Sequence, residues 1–114
     1  MRARVTGVIR TVALALGIAL LSGCATLEGY RHFELGNAAL DRGDVARAVL
    51  ELELAATLAP ERSEILNHLG IAYRTAGRSG DALSAFERAV ALDCDNQEAA
   101  ANLAAARSID PQAR

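Results

Sequence analysis

The sequence predicts an all-α chain, a short stack of helical hairpins behind a removable apolar leader. Three observations predict it. From Leu35 onward, leucines, glycines and alanines recur 34 residues apart. Across the same region apolar residues return every three or four positions, the spacing that gathers them on one face of a helix. Ahead of it, a basic N-terminus and a short apolar run end in Leu21-Ser22-Gly23-Cys24.

The leader comes first in the chain. Arg2, Arg4 and Arg10 make it basic, and Val12 to Leu21 is apolar. At about 1.5 Å rise per residue that run reaches about 15 Å, half of a hydrocarbon core of about 30 Å. A basic stretch, a short apolar run and small residues form the three-part build of a secretory signal. The four-residue ending resembles the lipobox of bacterial lipoproteins: Leu, a small residue, Gly or Ala, then Cys. That resemblance implies cleavage before Cys24, removal of residues 1–23, and lipid on the Cys24 sulfur and the new N-terminus. A thiol is the side chain best suited to forming a thioether, and two or more acyl chains anchor stably where one does so only marginally. Ala25 after the cysteine implies, by the same resemblance, the periplasmic face of the outer membrane. The alternatives are a module on an uncleaved membrane anchor, or an accessory subunit of an envelope enzyme. A cytoplasmic-facing module on such an anchor is disfavoured, because the basic leader before the apolar run would place the C-terminal part outside the cytoplasm.

Residues 24–28 are expected as a lipidated tether. A first hairpin, residues 29–62, pairs a helix from about Gly29 to Arg42 with one from about Val45 to Leu58. Gly43 makes the turn and Asp44 the N-cap. Pro60 closes the unit. The second hairpin, residues 63–96, pairs Ser63–Ala76 with Gly80–Leu92 around Gly77. Gly36 and Gly70 stand mid-helix, where glycine costs about 1 kcal/mol against alanine. Close approach of the partner helix explains them. Ala48 and Ala55, and likewise Ala82 and Ala89, give the small faces that accept it, while Leu52, Leu58, Phe86 and Leu92 supply bulk. A last helix, residues 97–109, follows Asp95 and Glu98, which are spaced as a capping box. A frayed tail, 110–114, ends the chain.

This pattern resembles tetratricopeptide repeats, whose period and helix-turn-helix unit it shares. Leu66, Leu69, Gly70 and Tyr73 match the first-helix signature, and Ala82, Phe86 and Ala89 the second. The first repeat matches through His32, Leu35, Gly36 and Ala39, then Ala48, Leu52, Ala55 and Pro60. Cys94 stands where the second closing proline belongs. The resemblance implies a short solenoid of two repeats and a C-terminal capping helix. Its alanines, Ala99–Ala101 and Ala104–Ala106, are unusually apolar for a cap. Arrays generally need three or more repeats for stability, so self-association or a stabilising partner is expected.

The resemblance also implies a concave, peptide-binding face lined by the first helices. On it fall Tyr30, Phe33 and Asn37, then Asn67, His68, Ile71 and Arg74, then Asn102. Each set keeps three- and four-residue spacing and so shares a helical face. Asparagines suit a bound backbone, and Arg74 suits a carboxylate. Some relatives clamp a C-terminal carboxylate with paired Lys and Asn, but this chain has no lysine, and that activity is not expected. The implied partners are other envelope proteins or peptides, with pilus and secretion-system assembly lipoproteins as the analogues.

Composition excludes other classes. Nine arginines and all fourteen acidic residues lie from Cys24 onward. That acidic balance disfavours nucleic acid, which requires clustered cations. Lipidation of Cys24 leaves Cys94 alone, so no internal disulfide forms, and Cys94 is expected as a partly buried apolar residue. His32 and His68 have no nucleophile motif beside them. Asp93-Cys94-Asp95-Asn96 lacks the glycine and closing glutamate of a calcium loop. No enzyme activity, metal or cofactor beyond the covalent lipid is expected.

Overall fold

The computed structural model describes residues 2–109, with side chains for Ile9 and from Gly23 onward; the expected tail 110–114 and the leader's other side chains lie outside the described residues. The described chain is all-helical: α1 (Arg2–Asp41), α2 (Val45–Leu58), α3 (Ser63–Thr75), α4 (Ser79–Leu92) and α5 (Gln97–Ile109). No helix among the described residues is long and apolar enough to cross a membrane.

Four helices keep their expected bounds to within a residue. The first does not: α1 begins at Arg2 instead of near Gly29, and residues 24–28 are helical. The reason is local. The chain has no proline before Pro60, and glycines inside a helix weaken it by only about 1 kcal/mol each without ending it.

The hairpin turns follow from backbone geometry. Gly43 and Gly77 have φ of 73° and 76°, a left-handed conformation that glycine adopts without penalty. Beyond each, the amides of Asp44 and Arg78 bond back to the carbonyls of Ala39 and Tyr73 at 2.9 and 2.8 Å, the Schellman closure of a helix end. Asp44 then caps α2, accepting from the Arg47 amide at 3.2 Å.

Packing across each hairpin is set by the mid-helix glycines. A Cβ built on Gly36 would lie 2.5 Å from Leu52 Cγ, and one on Gly70 would lie 2.5 Å from Phe86 Cε1. Leu52 and Phe86 are fully buried, with Ala48, Ala55, Ala82 and Ala89 at 0–1% exposure beside them. Leu92 departs from its expected core role and is 44% exposed. It is the last residue of α4.

The stacked units are tied at their ends. Asn96, not Asp95, caps α5: its Oδ1 accepts from the Ala99 amide at 3.0 Å. Its Nδ2 donates to Ser63 Oγ at 2.8 Å, and that hydroxyl donates to the Ala89 carbonyl at 2.9 Å. One side chain thus links the start of α3, the end of α4 and the start of α5. Asp93 instead shapes the preceding turn, taking the Asp95 amide at 3.0 Å. Cys94 sits on that turn and is exposed, not partly buried. Tyr73 Oη donates to Glu53 at 2.7 Å, with the Arg78 guanidinium 4.3 Å from its ring. Burial and the Glu53 hydrogen bond push the Tyr73 phenol up to about 12.

Glu51 is the acidic residue held in the core of the first hairpin, its side chain 5% exposed. His32 Nδ1 and Arg47 Nε both donate to it at 2.6 Å. The His32 hydrogen bond, with Arg47 behind it, holds the Glu51 carboxyl below its ordinary value against the opposing effect of burial. A carboxyl depressed in the folded state contributes stability that is complete above its unfolded value of about 4.5 and is lost as pH falls through the folded one. Thermal melts between about pH 6 and pH 3 will therefore fall more steeply for the natural protein than for Glu51→Gln. Parallel slopes would show that the contact contributes nothing.

Candidate functional site

First helices α1, α3 and α5 lie side by side and form one face of the stack. The eight residues expected there separate into two groups and two single positions.

The first group spans α1 and α3. Tyr30 is 49% exposed, while Phe33 is buried at 3%. Their rings are 5.9 Å apart, and Phe33 meets His68 edge-on at 5.0 Å. His68 Nδ1 donates to the Glu64 carbonyl one turn earlier, at 3.0 Å, which fixes the ring against Phe33. Glu34 beside Tyr30 raises the phenol above its ordinary value. A groove of about 430 Å³ runs alongside, lined by Leu27, Tyr30, Phe33, Ala59, Arg62, Glu64 and Ile65.

The second group spans α3 and α5. Asn67 is 1% exposed, and its Oδ1 accepts from Asn102 Nδ2 at 2.9 Å. Asn102 Oδ1 faces Arg74 Nη1 at 3.5 Å, and the Arg74 guanidinium stands 5.7 Å from the Phe86 ring. Buried amides are costly unless bonded, so Asn67 and Asn102 hold α5 against α3. Ile71 is half-buried against Ala82, Phe86 and Leu103. Asn37 stands apart: its Oδ1 is buried and, among the described residues, has no hydrogen-bond partner.

Phe33, Asn67 and Ile71 are therefore built into the packing, and a partner reaching this face meets Tyr30, His68 and Arg74. Periodicity assigns residues to a face but not to a depth on it, and Phe33 and Asn67 lie at its bottom. Sequence reasoning placed Glu64 on this face and missed Leu27, Arg62 and Ile65 as lining residues. For Leu27 the signal was present, three and six residues before Tyr30 and Phe33; Arg62 arrives from the inter-repeat link, which carries no periodicity, and Ile65 from the first turn of α3. Among the described residues no group of three His, Cys, Asp or Glu side chains is placed to hold a metal ion.

Two glycine-seated hairpins and a closing helix, stacked with a shared first-helix face, define a helical-repeat domain of the tetratricopeptide type. The family described as bacterial transcriptional activator domain matches residues 24–107. A TPR repeat-containing protein of Pseudomonas aeruginosa is 42% identical over 85 residues, covering 75% of this chain and 34% of its own length. Cellulose synthase operon protein C of Escherichia coli is 41% identical over 64 residues, 56% of this chain and 6% of its own. The chain thus spans about a third or less of these relatives. The TPR domain of Arabidopsis OM64 superposes with a TM-score of 0.72 at 20% identity, covering 75% of this chain and 70% of that one. The Sgt2 TPR domain of Aspergillus fumigatus gives 0.68 at 27% identity, over 71% and 54%. The chain belongs to the bacterial transcriptional activator domain family of tetratricopeptide-type repeats. Domains of this type mediate protein–protein interaction.

Proposed function

We propose that this domain is a membrane-anchored adaptor of the bacterial envelope. A lipid on Cys24 holds it at the periplasmic face of the outer membrane, and the α1–α3–α5 face recruits other envelope proteins. Assembly of a pilus or secretion system is the process it suits. The observation that carries the adaptor role is the stacked-hairpin fold with Tyr30, His68 and Arg74 accessible along one face. The lipid rests on the Leu21-to-Cys24 motif, and a relative named for a cellulose synthase operon is in keeping with an envelope role. Direct DNA contact is not part of this reading, because fourteen acidic residues outnumber nine arginines from Cys24 onward.

The test compares partners captured from solubilised envelope by the natural protein and by a Tyr30→Ala, Arg74→Ala variant. Both side chains are exposed, so folding is retained. Loss of at least one partner, on the order of tenfold for two truncated contacts worth about 0.7 kcal/mol or more each, is expected. Equal recovery of every partner would remove this face from consideration.

A further inference from the structure

We propose that a cavity between α3, α4 and α5 binds a short aliphatic carboxylate, with the exposed Arg74 holding the anion and alanine and isoleucine side chains covering the hydrocarbon. The proposal is independent of the lipid and of the groove beside Tyr30 and Phe33.

The cavity has a volume of about 260 Å³ and is lined by Arg74, Ser79, Ala82, Ala106 and Ile109. Ala82 is 1% exposed and forms its floor. It belongs to the core cluster of Phe86 and Leu103, against which Ala106 packs. Ile109 is 70% exposed, and Arg74 and Ser79 are exposed as well, so these three form the rim. Ala82 and Ala106 keep the space open, because a longer side chain at either position would enter it. The site therefore joins a hydrocarbon interior to a cationic edge.

The charge at that edge has no anion. Arg31, Arg47, Arg78 and Arg107 each hold a carboxylate. Arg74 holds none among the described residues. Its Nη1 stands 3.5 Å from Asn102 Oδ1, and its guanidinium carbon 5.7 Å from the centre of the Phe86 ring. Asp81, an acid two residues beyond Ser79, is taken by Arg78 Nε at 2.7 Å. Arg62 and Arg88 also lack a paired carboxylate, but each shares its groove with one, Glu64 and Glu53; the Arg74 cavity has no acid in its lining. A guanidinium carries five N–H donors, and a carboxylate accepts two of them side by side. The Ser79 hydroxyl adds a further donor. The polar side chains at the cavity thus offer donors, and the rest of the lining is apolar. The complement is an anion joined to a hydrocarbon chain. A peptide C-terminus fits less well. It brings an N–H beside its carboxylate, the lining side chains offer that N–H only the serine oxygen, and a buried N–H left unbonded is costly. Ligand sites generally exceed about 300 Å³, so this one takes a short chain.

Titration with sodium hexanoate at neutral pH, followed by NMR on the full chain in a non-ionic detergent, tests it. Saturable shifts at the methyl groups of Ala82, Ala106 and Ile109 are expected, with a Kd on the order of 1 mM for so small a ligand. Arg74→Gln should weaken binding about tenfold or more, the usual loss when a hydrogen bond to a charged group is removed. Arg74 is exposed, so the variant keeps its fold, which a circular dichroism melt confirms. Hexanol keeps the chain and lacks the charge, and should bind the natural protein about tenfold more weakly than hexanoate does. Arg88→Gln removes the same charge elsewhere and should leave hexanoate binding unchanged. Hexanoate that gives no saturable shift at these methyl groups overturns the proposal. So does an Arg74→Gln variant that binds it equally, or hexanol that binds as tightly. An acetylated dipeptide ending in leucine that binds more tightly than hexanoate would overturn it too, since the cavity would then seat a polypeptide terminus.

Discussion

Gly70→Leu will unfold the array. Even a bare Cβ at this position would lie 2.5, 2.6 and 2.9 Å from three atoms of the Phe86 ring, nearer than real Cβ atoms come. Phe86 is fully buried and has nowhere to withdraw. Forcing extra methylenes into a packed core costs about 1–3 kcal/mol, and leucine brings four carbons into this one. A small domain holds only about 5–15 kcal/mol in all, and each kcal/mol lowers its melting temperature by about 4–8 °C. A loss of about 15 °C or more is expected by circular dichroism. Phe86→Ala alone costs about 3–5 kcal/mol. Combined with Gly70→Leu it should cost less than the sum, because the two side chains compete for one space. Gly80→Ala is the control: its Cβ meets nothing within 4 Å, and a neutral change or a gain of up to about 1 kcal/mol is expected. An unaltered melt for Gly70→Leu would show that α3 and α4 do not meet at this glycine.

The same glycines made the fold readable from sequence. A mid-helix glycine at a fixed period has few explanations other than a neighbouring helix, so Gly36 and Gly70 located both hairpins, and Gly43 and Gly77 located their turns. Depth was harder to read. Phe33 and Asn67 lie on the predicted face, yet one is buried under Tyr30 and the other is bonded to Asn102. Glu51 sits at the register of Ala85, and only its i, i+4 pairing with Arg47 hinted that a charge there had a partner. Capping signals were ambiguous by one residue, with Asp95 and Asn96 both able to accept an amide. The start of α1 was missed because no stop residue separates the leader from the first repeat.

Cys24→Ser will abolish membrane retention if the lipid is attached as proposed. Each buried methylene contributes about 0.8 kcal/mol, so removing two or more acyl chains shifts the partition constant by many orders of magnitude. The natural product should sediment with envelope vesicles and show an intact mass lacking residues 1–23 and carrying lipid. The serine variant should keep its leader and lose the lipid mass. A fully processed serine variant that still pellets with vesicles would end the lipoprotein reading while leaving the repeat fold untouched.

Because α1 runs unbroken from Arg2 to Asp41, whatever holds Cys24 also sets the heading of everything behind it. Seventeen residues of one rod separate that cysteine from Asp41, roughly 26 Å at about 1.5 Å each, with no swivel between them. A flexible leash would let the domain sample every bearing above a bilayer. If Cys24 is anchored as proposed, a stiff rod would instead set the distance between that anchor and the repeat domain.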